Sequence, residues 1–412
     1  MNRRFFLHRG AFALAGTAAI PAFLVRALQA ETAAVPGRRL VVVFQRGAAD
    51  GLNVVVPYRE KNYYALRPSI AIPQNQVVDL DGNFGLHPAL AAFKPLYDAG
   101  HLAIVHAAGS PDSTRSHFDA QDFMESGTPG LKSTQDGWLN RALVAEDARR
   151  PRPHTAFRAL ALNAVLPRTL DGRIPAVALD NIGSFAIGGR DPGALVASSS
   201  FQTMYANSND RIFHPAGHET FEAIQMLRNA NPAQYKPAAG IVYPNGEFGN
   251  NMRQIAQLLK SNLGVEAAFT DVNGWDTHQN QGGVTGQLAN RLTEFSQAIS
   301  AFWRDMGDDA EDITLVTLSE FGRTAKENGT GGTDHGHANA MFVLGGRVKG
   351  GKVYGRWPGL DNDQLNEGRD LELTTDFRQV LAEAVLHTMG TVSLNTVFPG
   401  AGPTAMHPLG LL

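Results

Sequence analysis

Residues 39–44, Arg39-Leu40-Val41-Val42-Val43-Phe44, form an unbroken apolar run dominated by β-branched side chains. A strand with one wet face alternates apolar and polar residues. An unbroken run instead suits a strand covered on both faces, as in parallel sheets that carry helices on either side. Runs of the same texture recur at 101–105 and 312–318. Helical periodicity falls around them, at 88–99 ahead of the second run, 118–124 behind it and 287–306 ahead of the third. Alternating strand and helix predicts an α/β fold, a mostly parallel sheet flanked by helices on both faces. Residues 340–344 suit a further strand and 374–389 a closing helix. The stretch at about 144–248 breaks this rhythm with Pro and Gly interruptions and weak strand signals, although helical patterns return at 219–229 and 251–262. It reads as a cap inserted over the sheet. No clean linker isolates it, so 35–412 is expected to be one domain.

The first residues carry a different message. Asn2-Arg3-Arg4-Phe5-Phe6-Leu7 precedes a weakly apolar run over 10–25 and then small residues up to Ala34. This pattern reads as a twin-arginine signal peptide over 1–34, with cleavage after Leu28-Gln29-Ala30 or Thr32-Ala33-Ala34. Pro21 and Arg26 leave the run short of the ~20 apolar residues that a spanning helix needs, so no stable membrane span is expected. The expected destination is the periplasm or beyond, with the twin-arginine translocase as export partner. That route carries folded proteins and suits one loaded with metal before export.

Composition removes several chemistries. The chain has no cysteine, so neither disulfides nor thiolate nucleophiles and ligands are open to it. Lys and Arg number 36 against 39 Asp and Glu, a formal net charge of −3, which lacks the basic footprint of a nucleic-acid binder. With 43 Gly and 22 Pro, long loops should join the strands. Ligands of such folds lie beyond the carboxyl ends of the strands, in these loops.

Carboxylates, hydroxyls and imidazoles cluster at those positions. Asp50 follows the first run within Arg46-Gly47-Ala48-Ala49-Asp50-Gly51, Ser116 follows the second by a loop, and Glu320 and then Asp334-His335 follow the third. Asp334-His335-Gly336-His337 offers three oxygen and nitrogen ligands within four residues, between glycines that permit tight turns. Asp276-Thr277-His278 places two more on one side of an extended backbone, since side chains at i and i+2 share a face. Trp275 before them is expected to wall a pocket. Ser116 stands where a helix begins and suits either an N-cap or a metal-activated nucleophile, with Thr114 and Ser113 as rivals. Arg46, Arg115 and Arg323 are candidate clamps for substrate oxygens, with surface ion pairing as the commoner fate. His87, His101, His106, His154, His214 and His218 lack paired carboxylates and read as structural.

These residues sit in a recognisable series. Arg46-Gly47 with Asp50-Gly51-Leu52, Ser116-His117-Phe118, Gly274-Trp275-Asp276-Thr277-His278, Ser319-Glu320-Phe321-Gly322-Arg323, Gly332-Thr333-Asp334-His335-Gly336-His337, and Gly345-Gly346 to Gly355-x-Trp357-Pro358 resemble the motifs of an exported bacterial family of unknown function. That family is placed in the alkaline-phosphatase and sulfatase superfamily. The resemblance covers nearly the whole chain after the leader and implies an alkaline-phosphatase-like fold. It also implies two divalent ions, of zinc, manganese or magnesium. Asp50, Ser116, Asp334 and His335 would hold one, and Asp276 and His278 the other, with His337 or else His407 as its third ligand. Glu320 stands at the strand end where the superfamily places its Asp-His pair, and would be a ligand, a supporting partner or a structural group.

The implied activity is hydrolysis of phosphate mono- or diesters, or of sulfate esters, in a small-molecule or polymer substrate, with Ser116 attacking. The formylglycine signature of sulfatases is not matched by Ser110-Pro111-Asp112-Ser113-Thr114-Arg115, which ranks phosphate above sulfate. A catalytically silent exported binding or scaffold protein, and a hydrolase that uses activated water alone, are the alternatives.

Overall fold

A computed structural model describes residues 37–151, 154–182 and 235–412. The leader, the helical pattern at 219–229, His214 and His218 lie outside the described residues.

Nine strands form the main sheet among the described residues. In chain order they are β1 (Arg39–Gln45), β5 (Leu102–Gly109), β6 (Ala159–Leu162), β7 (Val177–Leu179), β8 (Ala267–Val272), β9 (Ile313–Ser319), β10 (Asn339–Gly345), β11 (Lys352–Tyr354) and β12 (Thr375–Asp376). The three short strands β2 (Val55–Val56), β3 (Val78–Asp79) and β4 (Gly85–Leu86) form a separate sheet. Across the main sheet the order is β11-β5-β10-β9-β1-β8-β6-β7, with β12 also paired to β5. Each pairing in it is parallel except the two made by β10, which runs against both β5 and β9. The sheet is thus mixed and mostly parallel, as the apolar runs require.

The central strand shows why an unbroken apolar run was needed. Successive side chains of a strand point to opposite faces. Val41 and Val43 enter one core together with Met252, Ile255, Leu292, Phe295 and Phe302, from the helices Glu247–Lys260 and Gln287–Met306. Leu40, Val42 and Phe44 enter a second core with Leu139, Leu143, Val380, Leu381 and Val385, from the helices Trp138–Arg149 and Phe377–Met389. Helices therefore cover both faces.

Part of the stretch expected as a cap belongs to the sheet instead. β6 pairs with β8 and β7 with β6, both in parallel, so 159–162 and 177–179 extend the sheet at its edge. Their short runs, Ala159-Leu160-Ala161-Leu162 and Val177-Ala178-Leu179, carry too few β-branched residues to stand out among the surrounding prolines.

Register fixes where the loops emerge. Gln45, the last residue of β1, is level with Val272 at the end of β8 and with Ser319 at the end of β9. The loops that follow these three strands leave the sheet side by side. Because β10 is reversed, its leading loop, with Asp334 to His337, arrives at the same edge, and the loop after β5 brings Ser116 and His117 there.

Candidate metal centre

At this edge three imidazoles meet. His335 Nε2 lies 3.0 Å from His117 Nε2 and 3.0 Å from His278 Nε2. One carboxylate joins them. Asp276 Oδ1 is 3.0 Å from His278 Nε2 and 3.4 Å from His335 Nε2, and its Oδ2 is 3.7 Å from His117 Nε2. His117, Asp276 and His335 present ligand atoms all within 4.8 Å of one another.

The outer nitrogen of each ring is held by an oxygen. His117 Nδ1 lies 2.8 Å from Glu320 Oε1, His335 Nδ1 lies 2.9 Å from the carbonyl of Arg115, and His278 Nδ1 lies 3.2 Å from Asp334 Oδ1. A carbonyl or carboxylate oxygen accepts only, so each Nδ1 carries the hydrogen and each Nε2 is left with its lone pair turned inward. Three such lone pairs beside a carboxylate repel one another unless a cation lies among them. Metal-bound histidines are held in the same way, the far nitrogen donating to an outer oxygen that fixes ring and tautomer. The residues present therefore fit a metal.

Glu320 is the most heavily used of the outer groups. Its fully buried Oε1 accepts from Gly47 N–H and from the Gln121 side chain, each at 2.8 Å, besides facing His117, and Ser319 Oγ reaches its Oε2 at 3.2 Å. Burial pushes its pKa up, but the hydrogen bonds from His117 and Gln121 outweigh this and hold it below the usual carboxylate range. The hydrogen bond to Glu320 raises the pKa of His117, whereas burial lowers that of His335. Asp276 is likewise pushed up by burial, but its hydrogen bond and ion pair with Arg323 keep it ionised below the ordinary range.

Arg323 assembles the centre without touching solvent. Its guanidinium donates to the carbonyls of Ala48, Gly47, Thr333 and Trp275 at 2.7 to 3.0 Å and to Asp276 Oδ1 at 2.6 Å. One side chain thus ties together the loops after β1 and β8 and the loop before β10. Glycines let these backbones close on each other. A methyl on Gly332 would overlap the carbonyl of His278, and one on Gly336 would overlap the backbone of Arg323. Their φ angles are not positive, so they serve close approach rather than tight turning.

The structure brings Asp276, His278, Asp334 and His335 together and leaves other expected ligands apart. Asp334 faces the outer nitrogen of His278 and accepts from Asn328. Asp50 is buried elsewhere. Arg67 grips both of its oxygens, at 2.6 and 2.9 Å, and Gln281 donates to it at 2.6 Å. His337 does not join the cluster, and burial lowers its pKa. His407 is exposed near the end of the chain, where its carbonyl accepts from Gln379. Arg46 is committed to Asp271 at 2.6 Å and to Glu125 at 2.9 Å, so neither it nor Arg323 is free to clamp a substrate. Trp275, expected to wall a pocket, packs inside the fold instead. It is fully buried in the core, bonded to the carbonyl of Val272 and edge-on to Phe295.

His117 is the member that sequence reasoning passed over. It stands beside Ser116 as the first residue of the helix His117–Ser126, and its carboxylate partner is Glu320, far away in sequence, rather than Asp119 two residues on. The signals were its place in the Ser116-His117-Phe118 motif and an unexplained Glu320 at a strand end. Ser116 is exposed at the rim. It occupies the N-cap position, but its side chain makes no capping hydrogen bond.

Residues 99–396 match the model of a family described as "Protein of unknown function (DUF1501)", well over half of the chain. The chain belongs to the DUF1501 family. No curated protein matches this DUF1501 chain. Among solved structures it is similar to a protein in the alkaline phosphatase superfamily from Vibrio parahaemolyticus, at TM-score 0.40 and 9% identity over 90% of this chain and 71% of that one. It is similar to a sulfatase from Pseudoalteromonas sp. at TM-score 0.39 and 12% identity, over 95% and 77%. It is also similar to the lipoteichoic acid synthase LtaP from Listeria monocytogenes at TM-score 0.34 and 10% identity, over 76% of this DUF1501 chain and 66% of the synthase, just under two thirds of the latter.

Proposed function

We propose that this protein is an exported metal-dependent hydrolase of phosphate or sulfate esters, built on a metal ion held by His117, His335 and Asp276, with His278, which lies against His335 and Asp276, drawn in as a further ligand. The observation that carries the reading is the convergence of three imidazole Nε2 atoms, each with its Nδ1 held by an outer oxygen, on a single carboxylate. The two ligand sets expected from the motif resemblance merge here, because His335 of one lies against His278 and Asp276 of the other. One ion then serves where two were expected. A set of three imidazoles and one carboxylate favours zinc or another imidazole-preferring transition ion over magnesium. Such an ion supplies Lewis acidity toward an ester oxygen and toward water.

The chain's own residues support the rest. Asp276 is kept ionised by Arg323, and Glu320, the Arg115 carbonyl and Asp334 hold the rings in place. Ser116 is the nucleophile in this reading. Arg115 before it is tied through its carbonyl to His335, and His117 after it belongs to the cluster, so its uncapped hydroxyl is bracketed by two fixed points at the rim. The motif resemblance points to the same ester chemistry, and export by the twin-arginine route suits a metal loaded in the folded state. No helix among the described residues is long and apolar enough to cross a membrane.

The test pairs elemental analysis of the purified protein with a panel of aryl phosphate, phosphodiester and sulfate substrates. The expected result is about one transition ion per chain and turnover of at least one ester class. Ser116→Ala should lose on the order of 10³-fold or more in kcat while keeping its metal. A metal-loaded wild type that turns over none of the panel leaves a binding protein as the reading. Undiminished activity in Ser116→Ala would show that attack comes from water.

A further inference from the structure

We propose that Arg369 is the anion clamp of this centre, the guanidinium that holds the non-bridging oxygens of a phosphate or sulfate group at its mouth; the inference rests on the hydrolase reading above. The arginines expected in that role are committed elsewhere. Arg46 and Arg323 are consumed by Asp271, Glu125, Asp276 and backbone carbonyls, and Arg115 donates to Glu367 and Asp370, each at 2.7 Å. Arg369 differs. Its Nη2 donates to the carbonyl of the central residue His335 at 2.6 Å, which anchors the side chain at the site. Its other contact is an Nη1 approach of 3.5 Å to Asp370, and the side chain is 39% exposed. A guanidinium has five N–H donors in a planar fork. Most of this fork has no hydrogen-bond partner among the described residues, and the side chain is partly exposed next to the backbone of His335.

The mounting is rigid. Arg369 projects from a turn closed by the Asn366–Asp370 bridge, pinned to the loop after β9 by the Thr324–Asp370 bridge and by the Ala325 N–H on its own carbonyl at 3.0 Å. A fixed, under-used guanidinium anchored to the backbone of His335 is suited to bidentate capture of a tetrahedral oxyanion.

The full chain loaded with zinc is titrated with inorganic phosphate by calorimetry at low ionic strength, alongside Arg369→Gln, Arg369→Lys and the control Lys94→Ala, which lies before β5 at the end of that strand away from the site. The wild type and the control should bind one phosphate with equal affinity. Arg369→Gln keeps a donor for the His335 carbonyl and should keep its zinc, yet bind phosphate about 10-fold or more weakly, with Arg369→Lys in between. The clamp is overturned if zinc-loaded wild type binds no phosphate, or if both Arg369 variants bind it within twofold of wild type at full zinc content. Phosphate binding that depends on Arg369 without hydrolysis of any ester would instead overturn the hydrolase reading and leave the clamp standing.

Discussion

At the scale of single residues, the chain separates two carboxylates that its sequence makes look alike. Asp50 and Glu320 both follow central strands, both are buried, and both were candidates for the metal. Asp50 faces Arg67, whose side chain is itself fully buried, so the pair is a structural one. Removing one partner of such a pair strands the other charge, at a cost of about 3–5 kcal/mol. Asp50→Asn should lose stability of that order in urea denaturation while the folded protein keeps its metal content. Loss of metal with stability intact would identify Asp50 as a ligand after all. Glu320 faces His117. Glu320→Gln keeps the shape but weakens the anchor of one ring, and metal affinity should fall about 10- to 100-fold in competition with a chelating dye.

At the scale of elements, what could be read from the sequence follows burial pattern. Strands β1, β5, β9 and β10 and the helix Gln287–Met306 were legible because unbroken β-branched runs and a 3.6-residue period are the direct imprint of two-sided and one-sided burial. β8 was not, although it carries Asp276 and His278 into place. Its run, Ala267-Ala268-Phe269-Thr270-Asp271-Val272, is small and partly polar because Thr270 bonds the Leu162 carbonyl and Asp271 holds Arg46. The ligand motifs at Asp276 to His278 and Asp334 to His337 were legible as spacing. Their convergence was not, since it depends on the reversal of β10 and on the side chain of Arg323. Gly332 and Gly336 beside those motifs mark contact between loops rather than turns. Gly332→Ala should push the loop before β10 off the His278 carbonyl, and metal affinity should fall with little loss of secondary structure by circular dichroism. A variant that binds metal as tightly as wild type would show that the loops separate without cost.

At the scale of the whole molecule, buried His106 and half-buried His387, both outside the centre, make stability depend on pH. His106 lies in β5, beneath Trp357 and Phe84. Its Nε2 donates to the Val55 carbonyl at 2.9 Å and its Nδ1 accepts from the Ala107 N–H at 2.9 Å, so the neutral ring is fully used and a second proton has no acceptor. Burial pushes its pKa down to about 4, and His387 is also lowered to about 4, by burial first and then by Arg38 and Arg347. In the unfolded chain both would titrate near 6.5. Between these limits the unfolded state binds more protons than the folded one, so stability must rise with pH from about 4 to about 6.5 and be lost in the reverse direction. For the fully buried His106 the change is about 3 kcal/mol over that window. Urea midpoints measured from pH 4 to 7 should show this slope, and His106→Gln should flatten it whatever its stability at pH 7. The metal ligands titrate in the same range, so the comparison belongs in chelator-treated protein, where a slope unchanged by His106→Gln would assign the pH dependence to other groups.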